Sequence, residues 1–182
     1  MKGMTLKVNE DIQLRSWKPE WAAELFRLTN KNRKYLQPWL PWVPSVKTAA
    51  DSKKFIVNSS EEQGKGTSLE LSIWYQGKLV GCLGLHGLNK AHRRASIGYW
   101  LDFEHQGKGI MTTSVKALID YSFHKLNLNR VGLEAATENS KSQAIAKRLN
   151  FCQEGVAREF EFVDNRFLSV IVFSLLKHEW KT

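Results

Sequence analysis

Tyr99-Trp100-Leu101-Asp102-Phe103-Glu104-His105-Gln106-Gly107-Lys108-Gly109-Ile110-Met111 decides the reading of this chain. A strand-like run ends at Leu101, a short polar loop follows, and two glycines open a segment of helical apolar spacing. Its apolar face is Met111, Val115, Leu118 and Ser122, flanked by Ile119, Phe123 and Leu126. The first turn of a helix has unpaired main-chain N–H groups and the positive end of the dipole, so phosphate can settle there. Glycine, without a Cβ, lets the main chain approach such a group closely. Two phosphate loops are excluded. A dinucleotide fingerprint needs a third glycine near position 112, where Thr112 stands, and no G-x-x-x-x-G-K-[ST] run occurs. His105, beside the loop, reads as local structure.

Outward from this stretch, strands dominate upstream. Residues 68–75 alternate, with Leu69, Leu71 and Ile73 on one face and Glu70, Ser72 and Trp74 on the other. Gln76-Gly77-Lys78 is a turn, residues 79–88 the returning half of a hairpin, and residues 94–101 a third strand. Nearer the start, residues 12–15 form a short strand, and Trp21, Leu25 and Leu28 mark a helix entered at Pro19. A second helix is expected over 48–62, capped by Thr48. Residues 36–44, with three prolines and two tryptophans, form an irregular apolar loop. Downstream come a strand over 130–136, a helix over 140–149, and an antiparallel pair, 160–163 and 167–175, turned at Asp164-Asn165. The pattern predicts an α+β (mixed α/β) fold: a mostly antiparallel sheet flanked by helices, in a single domain over 1–182.

Composition narrows the class. With 42% hydrophobic and 25% charged residues the chain is globular and too apolar to be disordered. Cys82 and Cys152 cannot build a disulfide framework or a four-ligand zinc site, and the five histidines are scattered, so no metal is expected. No apolar run approaches the ~20 residues of a membrane helix. Residues 1–11 are too polar for a secretory signal, and a soluble, cytoplasmic protein is expected. The net charge of +9 is lopsided: residues 1–100 carry 16 basic and 8 acidic groups, the remainder 11 and 10. Such a surface favours an anionic partner (a phosphorylated cofactor, an acidic protein or nucleic acid) or is a solvated basic face. A basic RNA-binding module without catalysis is one alternative, though the basic residues are dispersed and no zinc spacing or RNP aromatic pattern accompanies them.

A second constellation, Asn139-Ser140-Lys141-Ser142, then Ala146, then Asn150-Phe151, follows the glycine loop. Together the two resemble the GCN5-related N-acetyltransferases (GNAT), which carry [QR]-x-x-G-x-[GA] followed by N-x-x-A-x-x-x-Y-x-x-x-G-F. The phrasing from Ile97 to Thr112, with Trp39-Leu40-Pro41-Trp42, is similar to the RimJ/RimL branch, which acetylates ribosomal-protein N-termini. The likeness in element order spans nearly the whole chain. Met111 stands where the wider family prefers a small residue. Asn150 replaces a helix-ending glycine, and asparagine also tolerates the left-handed conformation. Ala146 takes the place of the tyrosine that protonates the departing thiolate.

The resemblance implies the GNAT fold and transfer of acetyl from acetyl-CoA, as cosubstrate, to a primary amine. The acceptor it implies is the N-terminus of a ribosomal protein, possible acidic members included; a small amine such as a polyamine, sugar or drug is the alternative. A homo-oligomer is compatible with it, and neither a membrane nor a specific nucleic acid is expected as partner. It places the cosubstrate on Tyr99, Trp100, Leu101, Gln106, Gly107, Lys108, Gly109, Ile110, Met111, Asn139 and Ser142, with a main-chain N–H of the 99–101 strand facing the developing oxyanion. Ser142 is expected to serve the leaving thiolate in place of the missing tyrosine. Asn139 either bonds the pantetheine arm or substrate backbone, or caps the helix. Glu70, among apolar neighbours, is the candidate base; the alternation of its strand also allows it to face solvent. Glu134 and Glu138 are reserves. Tyr35, Trp39 and Trp42 either wall the acceptor site or anchor the first helices. Cys82 reads as inert core.

Overall fold

The turn at Gln76-Gly77 has both residues at positive φ (49° and 77°), the geometry of a two-residue hairpin. In the computed structural model, which describes residues 3–181, that hairpin lies inside an eight-stranded sheet. Residues 1, 2 and 182, the ends of the expected 1–182 domain, lie outside the described residues. The strands are β1 (Thr5–Lys7), β2 (Ile12–Ser16), β3 (Leu69–Tyr75), β4 (Lys78–Asn89), β5 (Arg94–Leu101), β6 (Arg130–Ala136), β7 (Cys152–Val163) and β8 (Arg166–Leu176). Their order is β1-β2-β3-β4-β5-β6-β8-β7, and every pair is antiparallel except β5 with β6.

Helices cover both faces. They are α1 (Ala22–Lys31), α2 (Arg33–Leu36), α3 (Ala49–Lys65), α4 (Ile110–His124) and α5 (Ser140–Arg148). Against one face α4 buries Met111, Val115, Leu118, Ile119 and Phe123 on Leu71, Leu83, Leu85 and Ile97. On the other, Trp17, Leu25, Leu36, Val43 and Ile56 pack with Trp74, Cys82 and Trp100. Thr48 caps α3, its hydroxyl accepting from Asp51 N–H and the Asp51 carboxylate returning the bond to Thr48 N–H. The irregular segment after α2 is pinned by Arg33, whose guanidinium donates to the carbonyls of Val43 and Val46.

Two expectations are corrected. Glu70 and Ser72 do not face water, because the second layer of helices buries their side of β3. The strand expected at 160–163 begins eight residues earlier, at Cys152. Its first part is mostly exposed on the sheet edge and lacks the apolar alternation that marks half-buried strands.

Where β5 meets β6 the sheet opens. The two pair only over Arg94–Ser96 with Arg130–Gly132 and then diverge, leaving a wedge between residues 97–101 and 133–136. Just past β5, the buried Asp102 carboxylate ties the wedge to α1. It accepts from Asn32 Nδ2 (2.8 Å) and Lys31 Nζ (3.2 Å), and its Oδ2 lies 2.7 Å from His105 Nδ1. Asn32 Oδ1 accepts from Phe103 N–H at 2.9 Å, so one side chain holds both sides of the 102–103 junction. Burial works to raise the Asp102 carboxyl, but these donors outweigh it and hold it below its usual range. Asp102→Ala removes the acceptor shared by the buried Asn32 amide, His105 and Lys31 and is expected to cost about 1–3 kcal/mol, read as a lowered denaturant midpoint. For a carboxyl held low, the stabilisation is present above the unfolded pKa. The difference from wild type therefore shrinks as the pH falls through the acid range.

Candidate active site

The wedge opens into a cleft of about 1390 Å³ bounded by β5, β6, the start of α4, α5 and the segment after α2. At one end lie Gln106, Gly107, Gly109, Ile110 and Met111. Gly107 and Gly109 have φ of 74° and 75°, the left-handed region, with nothing within 4 Å of where a Cβ would stand. The first intrahelical bond after them is Thr113 N–H to Gly109 O at 3.0 Å, so the amides of residues 110–112 lie ahead of it. Lys141 Nζ donates to Gln106 Oε1 (2.9 Å), adding a cation beside the loop. An open glycine cradle with unpaired amides fits a diphosphate. The Lys108 side chain does not border the cleft; only its main chain belongs to the loop.

Along the wedge run Tyr99, Trp100 and Leu101 on one side and Leu133 to Ala136 on the other. The Tyr99 hydroxyl lies 2.9 Å from Ser142 Oγ. Burial pushes the Tyr99 phenol up to about 12, so it stays protonated and can donate through Ser142. Asn139 caps α5, its Oδ1 accepting from Ser142 N–H at 3.1 Å. That bond fixes Ser142 at the lip of the cleft, and Asn139 borders the cleft as well. The Tyr99 hydroxyl was missed from sequence, where only the main chain of that strand was nominated.

The far wall is aromatic: Tyr35, Trp39 and Trp100 border the cleft. Trp42 does not. It packs at a tilt against Trp100, with ring centroids 6.3 Å apart, and supports that part of the wall. Tyr35 packs edge-on against Phe103 at 5.6 Å. Lys141 and Arg166 sit over the rings of Tyr35 and Trp39 at 5.8 and 5.9 Å; Lys141 borders the cleft, whereas the Arg166 charge is paired with Glu138.

Carboxylates gather at the floor. Glu134 and Glu161 both border the cleft, and Glu161 is raised by burial and then by the charge of Glu134. Sequence reasoning held Glu134 in reserve and missed Glu161; its place between Phe160 and Phe162 on an alternating strand was the available signal. Glu138 instead pairs with Arg166 at 2.7 Å and lies off the cleft. Glu70 is buried on β3 behind the floor and does not border the cleft; burial pushes it to about 7. His86, also missed, stands between Glu70 and the cleft. Cys82 is buried with its thiol pushed well up by burial. Among the described residues no group of three or more His, Cys, Asp or Glu side chains could hold a metal ion, and no helix is long and apolar enough to cross a membrane.

A glycine cradle that fits a diphosphate, leading into a splayed strand pair with a hydroxyl pair beside it, has the shape to take a thioester carrier. The chain belongs to the acetyltransferase (GNAT) domain family, whose model matches residues 11–152. It is 37% identical to a putative ribosomal N-acetyltransferase, YdaF, of Bacillus subtilis (strain 168), over 97% of each chain. It is 32% identical to the spermidine N(1)-acetyltransferase of Escherichia coli (strain K12), over 93% of this chain and 88% of that one. Among solved structures, RimL, a ribosomal L7/L12 alpha-N-protein acetyltransferase in complex with coenzyme A, superposes with a TM-score of 0.94 at 25% identity. That match covers 97% of this chain and all of the other. The protein is thus an acyltransferase of the N-acetyltransferase class, a family that uses acetyl-CoA as cosubstrate.

Gly109→Val places a β-branched residue at φ 75° and a side chain in the open cradle. It is expected to weaken acetyl-CoA binding about tenfold or more, measured by calorimetry, from ~1.4 kcal/mol or more of strain and obstruction.

Proposed function

We propose that the protein acetylates the N-terminal α-amine of a ribosomal protein, with acetyl-CoA as donor. The observation that carries this reading is the charge layout of the cleft: Glu134 and Glu161 border it together, and Lys141 stands at the rim beside Tyr35. An acidic protein presents that pattern in reverse, a cationic chain end on an anionic body, and complementarity of this kind favours encounter. The full-length likeness to a putative ribosomal N-acetyltransferase supports the same choice. A spermidine-type acceptor satisfies the floor but gains nothing from the rim.

In this reading the bound cosubstrate supplies an activated acetyl carbon and a thiolate leaving group. The main chain of residues 99–101, free of a partner on the wedge side, offers N–H to the developing oxyanion. Ser142, with the Tyr99 hydroxyl behind it, gives the departing thiolate its proton. Tyr35 and Trp39 wall the acceptor against solvent, and the acidic floor draws its ammonium inward.

Peptides copying the N-termini of acidic ribosomal proteins, assayed beside spermidine, test the acceptor. The expected kcat/KM is at least about tenfold higher for a peptide, with the acetyl group on its first residue by mass spectrometry. Preference for spermidine would sink the ribosomal reading. Ser142→Ala is expected to lower kcat by about 10²-fold with acetyl-CoA affinity nearly unchanged; unaltered turnover removes Ser142 from the mechanism.

A further inference from the structure

Glu70 and His86 lean across the sheet in step, each resting on a glycine of the next strand. A Cβ on Gly84 of β4 would stand 2.5 Å from the Glu70 carboxylate, and one on Gly98 of β5 would stand 2.7 Å from His86 Nε2. Neither glycine is at positive φ, so space accounts for them. His86 Nδ1 lies 3.1 Å from Glu70 Oε1, though off the line of a hydrogen bond, and Oε1 has no other partner. The second oxygen, Oε2, accepts from the Cys82 thiol at 3.5 Å. A buried carboxylate oxygen without a donor is costly, and it points at the one imidazole between it and the cleft. The opposite edge of that imidazole rests on Gly98, where the sheet begins to part.

We propose that His86 takes the proton from the acceptor ammonium, with Glu70 behind it as the positioning group that receives the Nδ1 proton. The inference rests on the acetyltransferase reading above. One proton of the ammonium passes to Nε2 while the Nδ1 proton moves to Oε1. The nitrogen lone pair then forms the C–N bond with the acetyl carbon, and the C–S bond breaks. The amine's second proton reaches the thiolate by way of Ser142, and the proton held by the pair returns to solvent. No oxidant or metal enters the balance.

Cys82 from β4 contacts the pair, while Glu134 from β6 (bonded by Ser96 Oγ at 3.3 Å) and Glu161 from β7 border the same cleft as His86. Burial pushes the Cys82 thiol well up and lifts Glu70 to about 7, and partial burial draws the half-exposed His86 imidazole below its ordinary value. Below that pH Glu70 already holds a proton and cannot accept another, so kcat rises as the pH passes through about 7.

The test is the pH profile of kcat at saturating substrates for wild type, His86→Ala, Glu70→Gln and Glu161→Gln, each with its acetyl-CoA affinity. His86→Ala is expected to lose about 10²-fold in kcat at pH 7 with cosubstrate affinity retained. Its rising limb moves up toward the ordinary α-amine value of about 8, so the deficit narrows at alkaline pH. Glu70→Gln lowers kcat and removes the limb at about 7, leaving only the imidazole, which is held below its ordinary value; its fold is checked independently. Removing a carboxyl raised by burial makes the variant more heat-stable than wild type at pH 8 and not at pH 4, the sign a buried acid requires. If His86→Ala keeps its kcat and limb, or if Glu161→Gln alone abolishes the limb, the proposal is overturned while the acetyltransferase reading stands. A wild type that transfers acetyl to no amine overturns both.

Discussion

Every feature of the site follows from the parting of β5 and β6 after three residue pairs. The parting is tolerable because each strand keeps its other neighbour: β5 stays bonded to β4 through Leu101, and β6 to β8 through Ala136. Only one side of each strand is left without a partner, and those groups line a cleft where water or a ligand can satisfy them. The parallel pairing itself requires a crossover connection, and α4 is that connection. Its N-terminus therefore arrives at the mouth of the gap, so a helix end that can take phosphate and a slot that can take an extended arm are produced by the same topology.

The fold was legible wherever one physical pattern was dominant. Alternation gave β3 to β5, the 3.6-residue period gave α4 with Met111, Val115 and Leu118 inward, and Thr48 announced the start of α3. Asn150, at φ 58°, ends the helix at α5 in the left-handed conformation that a glycine would otherwise supply. Alternation failed on β3 for a particular reason. It shows that two faces differ, but it cannot show that a second layer covers the more polar one, as α1 and α3 do here. The start of β7 failed for the opposite reason, since an exposed edge strand needs no apolar face.

The glycine-loop end of the cleft was more legible than the end lined by carboxylates. A local loop such as 106–111 carries its own geometry in its glycines. The carboxylate-lined end is assembled from β4, β6 and β7, and no spacing along the chain records that His86, Glu134 and Glu161 border one cleft. Trp42 illustrates the limit at single-residue scale. Its tryptophan-proline context marked an apolar segment correctly, yet which indole faces the cleft and which supports it depends on the packing against Trp100.

The grip of Asn32 on the 102–103 junction ties the end of α1 to the start of the glycine loop. Tyr35 and Trp39 lie on the chain immediately after α1, so the same junction helps set the aromatic wall. The aromatic wall and the glycine loop are therefore anchored to one buried junction instead of being positioned separately.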